Sequence, residues 1–92
     1  MTIALNTEIF SESEWIKLIN DLSLPPRQAQ VIRYILSGLS DKQIALKMQI
    51  SVAGVRAHLN RIFAKFDLRD RHELVLYMFN CFLDGCRAGI YR

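Results

Sequence analysis

The sequence predicts an all-α fold, and three observations support this prediction. Apolar residues recur at steps of three and four along most of the chain, which is the period of amphipathic helices. A Ser or Asp is followed three residues later by Glu or Gln at Ser11, Ser40 and Asp70, a pattern typical of helix starts. The chain has 92 residues, 51% of them hydrophobic, which fits one small domain with some apolar surface left for another subunit.

The first predicted helix covers about residues 12–21 and begins after the capping pair of Ser11 and Glu14. Apolar residues from Trp15 to Leu22 give it one hydrophobic face. We interpret residues 1–22 as an N-terminal extension whose helix packs against the rest of the chain. Contact with a second subunit or another protein is the alternative.

The second predicted helix runs from Pro26 to about Ser37. Proline suits the first turn because its fixed φ is already helical and its missing N–H has no acceptor there. Gly38 is expected to end the helix, since glycine readily adopts the left-handed conformation. Val31 and Ile32 lie on its core face, so we interpret this segment as a scaffold helix.

The central stretch, residues 40–68, holds two apolar stripes separated by a short turn. Only Gln49, Ile50 and Ser51 lie between them, so the two helices must cross steeply, as in a helix-turn-helix. Ile50 is expected to fill the crossing point. The stripes consist of Ile44, Ala45 and Met48 in the first helix and of Val52, Val55, Leu59, Ile62 and Phe66 in the second.

The opposite face of the second of these helices combines small residues with cations. No carboxylate occurs from Ser51 to Phe66, whereas an ordinary solvated helix mixes charges of both signs. Small residues allow close approach, and cations and amides bind phosphates and base edges, so this face predicts DNA binding. A basic helical bundle without a ligand is the simpler alternative. The face comprises Ala53, Gly54, Arg56, Ala57, Asn60, Arg61, Ala64 and Lys65.

The positive charge is concentrated around the same stretch. The net charge is +3, but residues 41–72 carry seven lysines and arginines against three aspartates. Residues 1–23 carry one lysine against four acidic residues. This uneven distribution is typical of a surface that binds nucleic acid.

The last predicted helix, about residues 71–84, is apolar nearly all round. A helix of this kind is buried on both sides, and so small a scaffold can cover only one of them. We therefore expect a second copy of the chain on the other side, forming a weak homodimer. The residues predicted for this interface are Leu74, Val75, Met78, Phe79 and Phe82.

Several classes of protein are disfavoured by the sequence. No apolar run is long enough for a membrane span, and the N-terminus lacks the features of a signal peptide, so we expect a cytoplasmic protein. Cys81 and Cys86 have no partner at metal-ligand spacing, and reduced thiols are expected. His58 and His72 belong to no catalytic triad pattern. We therefore expect no enzyme activity, no cofactor and no metal.

Residues 24–71 resemble the LuxR-type (GerE-like) helix-turn-helix domain of bacterial transcription regulators. The family usually has Glu at the positions of Gln28, Gln30 and Gln43, and Thr at those of Pro25 and Gly54. The matching residues are Leu24, Arg27, Val31, Gly38, Ser40, Lys42, Ile44, Ala45, Ile50, Ser51, Val55, Arg56, His58, Ile62, Phe63, Lys65 and Arg71.

The resemblance implies a four-helix LuxR-type bundle at residues 23–92, preceded by the short extra helix. It implies a transcription regulator that binds double-stranded DNA sequence-specifically. Since the family's receiver or sensor domain is not in this sequence, we expect a stand-alone domain. The last helix commonly forms the family's dimer interface, which favours an inverted repeat in the DNA site.

Two groups of residues are predicted to contact DNA. The second helix of the central stretch, which we call the recognition helix, should read bases with its exposed part. The starts of both helices of this stretch, and the flank of the recognition helix, should hold phosphates. The base-reading group is Arg56, Ala57, Asn60 and Arg61, and the phosphate group is Lys42, Ser51, Gly54, His58 and Lys65.

Two other functions remain open from the sequence. The first is a protein-interaction adaptor or anti-regulator that keeps the fold without binding DNA, which Gly54 and the missing Glu residues allow. The second is a promoter-recognition module similar to the DNA-binding end of a sigma factor, which would contact RNA polymerase. The cation-only face of the recognition helix argues against the adaptor.

Overall fold

The computed structural model describes residues 11–87, and all regular structure in this range is helical, as predicted. The last helix extends three residues beyond its predicted end at residue 84. Gly85 lies within the helix and is buried. The helices are α1 (Glu12–Leu22), α2 (Pro26–Leu36), α3 (Asp41–Met48), α4 (Val52–Phe66) and α5 (Arg71–Arg87).

The predicted caps fix where the helices begin. At α3, the Ser40 hydroxyl accepts a hydrogen bond from the Gln43 amide (3.3 Å), and the Gln43 side chain accepts one from the Ser40 amide (2.8 Å). The same reciprocal pair starts α1. At α5, Asp70 accepts from the Glu73 amide at 2.9 Å, while the Glu73 carboxylate accepts from Arg69 instead of Asp70. These bonds satisfy amides that have no partner inside the helix.

Left-handed residues end the helices and turn the chain. Gly38 has a φ of 87° after α2, as the sequence predicts, and Asp67 has a φ of 56° after α4. Gln49 has a φ of 57° and forms the corner between α3 and α4. Ser23 does the same after α1, at 54°.

One hydrophobic core lies around α2, which packs against α3, α4 and α5. Within residues 11–85 no polar or charged residue is buried, so the core rests on apolar packing. Its fully enclosed side chains are Leu18, Val31, Ile32, Ile44, Val55, Ile62, Leu74 and Met78.

The extra helix α1 packs onto α2, because Trp15 and Leu18 are buried in the shared core. Arg33 of α2 binds Glu12 (Nη2–Oε1, 2.7 Å) and lies over the Trp15 ring, 5.7 Å from its centre. Hydrogen bonding to Arg33, with its positive charge, holds the pKa of Glu12 below its usual range. This helix therefore packs on its own chain.

Among the described residues, no helix has the length and apolarity needed to cross a membrane.

Candidate nucleic-acid interface

The corner between α3 and α4 has the predicted helix-turn-helix form. The amide of Ile50 donates to the carbonyl of Ala45 at 3.0 Å, which closes the turn behind Gln49. The Ile50 side chain packs against the core at the crossing point. Burial of Val55 and Leu59 fixes the rotation of α4 about its axis and therefore decides which residues face outward.

The outward face of α4 carries the predicted base-reading residues. Arg56, Ala57, Asn60 and Arg61 are all exposed. Asn60 and Arg61 have no polar partner among residues 11–87, so their donors and acceptors face solvent. Ala53 is exposed on the same face. These side chains present an open surface of two cations, one amide and small apolar groups.

The first turn of α4 differs from expectation in one respect. Gly54 is among the residues predicted to hold a phosphate, but its amide already donates a hydrogen bond to the Ser51 hydroxyl at 2.9 Å. The amides of Val52 and Ala53 have no acceptor within the described part of the chain. A Cβ at Gly54 would lie 3.3 Å from Ser51 Oγ and 3.5 Å from Ile50 Cδ1, so the glycine lets the cap pack closely.

Two of the predicted phosphate residues remain available. Lys42 is exposed in the first turn of α3 and has no polar partner in residues 11–87. The His58 ring is partly buried, and its Nδ1 is enclosed without a hydrogen-bond partner in the described structure. The accessible nitrogen is therefore Nε2, which is the one that could meet a phosphate.

Lys65 is engaged elsewhere. Its ammonium donates to the carbonyl of Ser23 at 2.6 Å and lies 5.8 Å from the centre of the Phe66 ring. The Ser23 carbonyl lies at the end of α1, so Lys65 binds the loop between α1 and α2. Lys65 is also roughly 20 Å along α4 from Ser51, at 1.5 Å per residue. We therefore leave Lys65 out of the candidate interface.

A network of charges that the sequence did not predict lies beside Arg56. Asp41 binds Arg71 (Oδ1–Nη1, 2.9 Å) and also lies 3.6 Å from Arg56 (Oδ2–Nε). Arg71 additionally donates to the carbonyl of Leu39. Asp41, Arg56 and Arg71 line, together with Asn60, a shallow depression of about 340 Å³ between α4 and the starts of α3 and α5. Local spacing could not reveal it, because Asp41 and Arg71 are 30 residues apart.

The structure corrects the predicted interface on α5. Leu74 and Met78 have no exposed surface and belong to the intrachain core, so they are wrong as dimer contacts. Their spacing of four residues puts both on the face that meets α2. Val75 and Phe82 pack partly against the same core.

A different set of apolar side chains faces outward from α5. Leu76 is 52% exposed and Leu83 is 45% exposed, with the half-buried Phe79 between them. Steps of three and four residues place the three on one face. We call Leu76, Phe79 and Leu83 the outer stripe of α5.

The other chemical groups show no built site within residues 11–87. No cluster of three or more His, Cys, Asp or Glu residues in this range could hold a metal ion. Cys81 is a free thiol, and burial raises its pKa above the usual range. Burial likewise raises the pKa of Tyr77, whose ring packs against Phe66 with centroids 4.8 Å apart.

Comparison with known proteins matches the sequence to one family. Residues 22–78 match the family model described as "Bacterial regulatory proteins, luxR family". The chain is 38% identical over 56 residues to "Probable transcriptional regulator ycf29" of Cyanophora paradoxa, and 32% identical over 65 residues to the protein of that name from Porphyra purpurea. It is 41% identical over 54 residues to the Fimbriae Z protein of Escherichia coli K12.

The matched regions are only part of these relatives. The match to the Cyanophora paradoxa protein covers 61% of this chain and 27% of that protein. The corresponding shares are 71% and 31% for the Porphyra purpurea protein, and 59% and 26% for the Fimbriae Z protein. The chain thus spans under a third of the length of each. No solved structure matches the chain significantly.

Proposed function

We propose that this chain, which belongs to the luxR family of bacterial regulatory proteins, binds double-stranded DNA sequence-specifically and regulates transcription. The observation that carries the proposal is the outward face of α4, which holds cations, an amide and small residues but no carboxylate. Such a face suits the close approach to a polyanion, because nothing on it repels phosphate. The "transcriptional regulator" in the names of two relatives supports the same function.

In this proposal α4 lies in the major groove, which is about 12 Å wide and admits a helix. Arg56 and Asn60 read base edges, since Arg pairs with guanine and Asn with adenine through two hydrogen bonds each. Ala57 lies between them, where its methyl group can contact a thymine methyl. Arg61 flanks this group and contacts the edge of the site.

Phosphates on both sides of the groove are held by the starts of two helices. Lys42 contacts one strand from α3. The free amides of Val52 and Ala53 bind another phosphate, aided by the positive end of the α4 dipole. Ser51 and Gly54 act indirectly, by keeping this turn in shape, and His58 donates through Nε2.

A second copy of the chain is proposed to bind through the outer stripe of α5. A symmetric pair would bury the same stripe on both subunits, as two-fold dimers do. Its two α4 helices would then lie about one helical turn apart on the DNA and favour an inverted repeat. One short stripe per subunit offers little area, so we expect the dimer to be weak without DNA.

Selection of bound sequences from a random duplex pool tests the function. We expect an enriched inverted repeat, bound more tightly than random duplex at the same salt concentration. A mobility shift with random duplex at low salt is the companion measurement. No enrichment together with no retardation at micromolar protein would contradict DNA binding and favour the protein-interaction adaptor.

A further inference from the structure

We infer that Asp41 is a positioning residue for base reading, which orients the Arg56 side chain toward the DNA while being fixed itself by Arg71. The inference rests on the proposed function. Asp41 is an acidic residue beside the outward face of α4, whose other polar side chains suit a polyanion. An unneeded carboxylate at this place would only repel phosphate.

The network has an anchored end and a free end. At the anchored end Arg71 donates to the carbonyl of Leu39 and binds Asp41 at 2.9 Å. The side chains of Asp41 and Arg71 are 28% and 38% exposed, so both are sheltered. At the free end Arg56 is 69% exposed. Asp41 is therefore held in place by the scaffold, whereas Arg56 reaches into solvent from it.

The position of Asp41 beside Arg56 determines which N–H groups of Arg56 remain available to bind DNA. The contact joins Asp41 Oδ2 to Arg56 Nε at 3.6 Å, and no other acceptor within the described residues contacts this guanidinium. An Arg side chain has five N–H donors in a planar fork, of which Nε carries one. The ion pair lies on the Nε side of the guanidinium, and it leaves the two Nη groups, which can donate in parallel to O6 and N7 of guanine.

Orientation by Asp41 also reduces competing contacts. A free Arg56 could rotate toward the nearest phosphate, which would add affinity without sequence information. The neighbouring carboxylate lowers the attraction of Arg56 to phosphate and holds the side chain in one direction. Asp41 should therefore increase discrimination between sequences and, at the same time, limit affinity for random DNA.

A purely structural role for Asp41 predicts something else. Asp41 also ties the start of α3 to the start of α5 through Arg71. Loss of that tie would loosen the whole interface and weaken binding to all sequences alike. The two roles can be distinguished by the ratio of affinities for matched and mismatched DNA. Loss of a positioning role lowers this ratio, whereas loss of a structural role leaves it unchanged.

The test is Asp41→Asn, measured by fluorescence anisotropy on three duplexes: the selected site, that site altered at the base pair read by Arg56, and random DNA. The base pair is the one at which Arg56→Ala removes discrimination. We expect Asp41→Asn to lower discrimination there about tenfold, within the range for one bidentate pair. Affinity for random DNA should stay the same or rise. In the Arg56→Ala background, Asp41→Asn should leave discrimination unchanged.

Equal weakening on all three duplexes would overturn the inference, as would the same loss of discrimination in the Arg56→Ala background. A second measurement needs no variant: the Nε–H resonance of Arg56 in the unaltered protein bound to the selected duplex. Slow exchange is expected because the ion pair holds the Asp41 carboxylate beside Nε and restrains the side chain, and fast exchange overturns the inference. If the unaltered protein discriminates between no sequences, it is the proposed function that fails. If it discriminates and Asp41→Asn does so equally well, only the inference fails.

Discussion

Single side chains on the outward face of α4 differ in what holds them. Arg56 is restrained by Asp41, while Asn60 and Arg61 have no polar partner in residues 11–87. Lys65 belongs to the same helix but binds the Ser23 carbonyl. A basic side chain of α4 can thus face outward or bind another part of the fold, and the atom that it contacts distinguishes the two cases.

Replacing Arg56 tests base reading at the residue scale. Arg56→Ala is expected to cost about 1–3 kcal/mol on the selected site and to relax the preference at one base pair, because a bidentate contact is lost. Binding to duplexes substituted at each position in turn measures both effects. Equal losses on the selected site and on random duplex would show that Arg56 does not read a base.

Lys42 provides the matched control, because its predicted partner is a phosphate. Lys42→Ala should weaken binding to every sequence alike and reduce the slope of log K against log salt by roughly one unit. Titrations at several salt concentrations measure the slope. An unchanged slope would mean that Lys42 makes no phosphate contact.

Contacts between residues close together in the sequence could be predicted, and contacts between distant residues could not. The pair of Ser40 and Gln43 is three residues apart, so its spacing alone predicted the cap. The pair of Asp41 and Arg71 is 30 residues apart, and no local pattern links the two. The contact of Lys65 with the Ser23 carbonyl could not be predicted for the same reason, since the two residues are 42 positions apart.

At the scale of elements, the start of α4 combines stability with binding. The Ser51 cap occupies one amide of the first turn and leaves two facing outward. Ser51→Ala should lower the free energy of unfolding by about 1 kcal/mol, whereas Ser51→Gly should cost only a few tenths, since glycine is itself a tolerated cap. Chemical denaturation of the two variants measures the difference. No loss in the Ser51→Ala variant would mean that the hydroxyl contributes nothing.

The two faces of α5 give a matched pair of charge insertions. Met78→Glu places a carboxylate in the core, where Met78 has no exposed surface, and should cost several kcal/mol of the about 5–15 that stabilise a small domain. Leu76→Glu adds the same charge at a site that is 52% exposed and should leave folding nearly intact. Thermal unfolding followed by circular dichroism compares them, and similar unfolding temperatures would contradict the assignment of these faces.

The same helix shows why the prediction for α5 was only half right. Its apolar residues are so continuous that the sequence indicated burial on both sides without telling which side met the scaffold. The rotation of the helix follows from its packing against α2, which no residue of α5 specifies alone. The existence of two apolar faces was therefore predictable, and their assignment was not.

At the scale of the whole molecule, the account predicts a weak symmetric pair on DNA. Sedimentation of the unaltered protein at high micromolar concentration, with and without the inverted repeat, should show two copies on each duplex. Leu76→Glu should reduce this to one copy, because the charge falls in the outer stripe of α5. Two copies bound by the variant, or a single copy bound by the unaltered protein, would remove the proposed dimer.

The central claim is that DNA binds the outward face of α4 and the start of α3. Backbone amide chemical shifts, recorded for the protein with and without the selected duplex, locate the contact surface residue by residue. The account predicts the largest changes at Lys42, at Val52 to Ala53, and from Arg56 to Arg61. Changes centred instead on α1, or no changes at a duplex concentration that saturates binding, would contradict it.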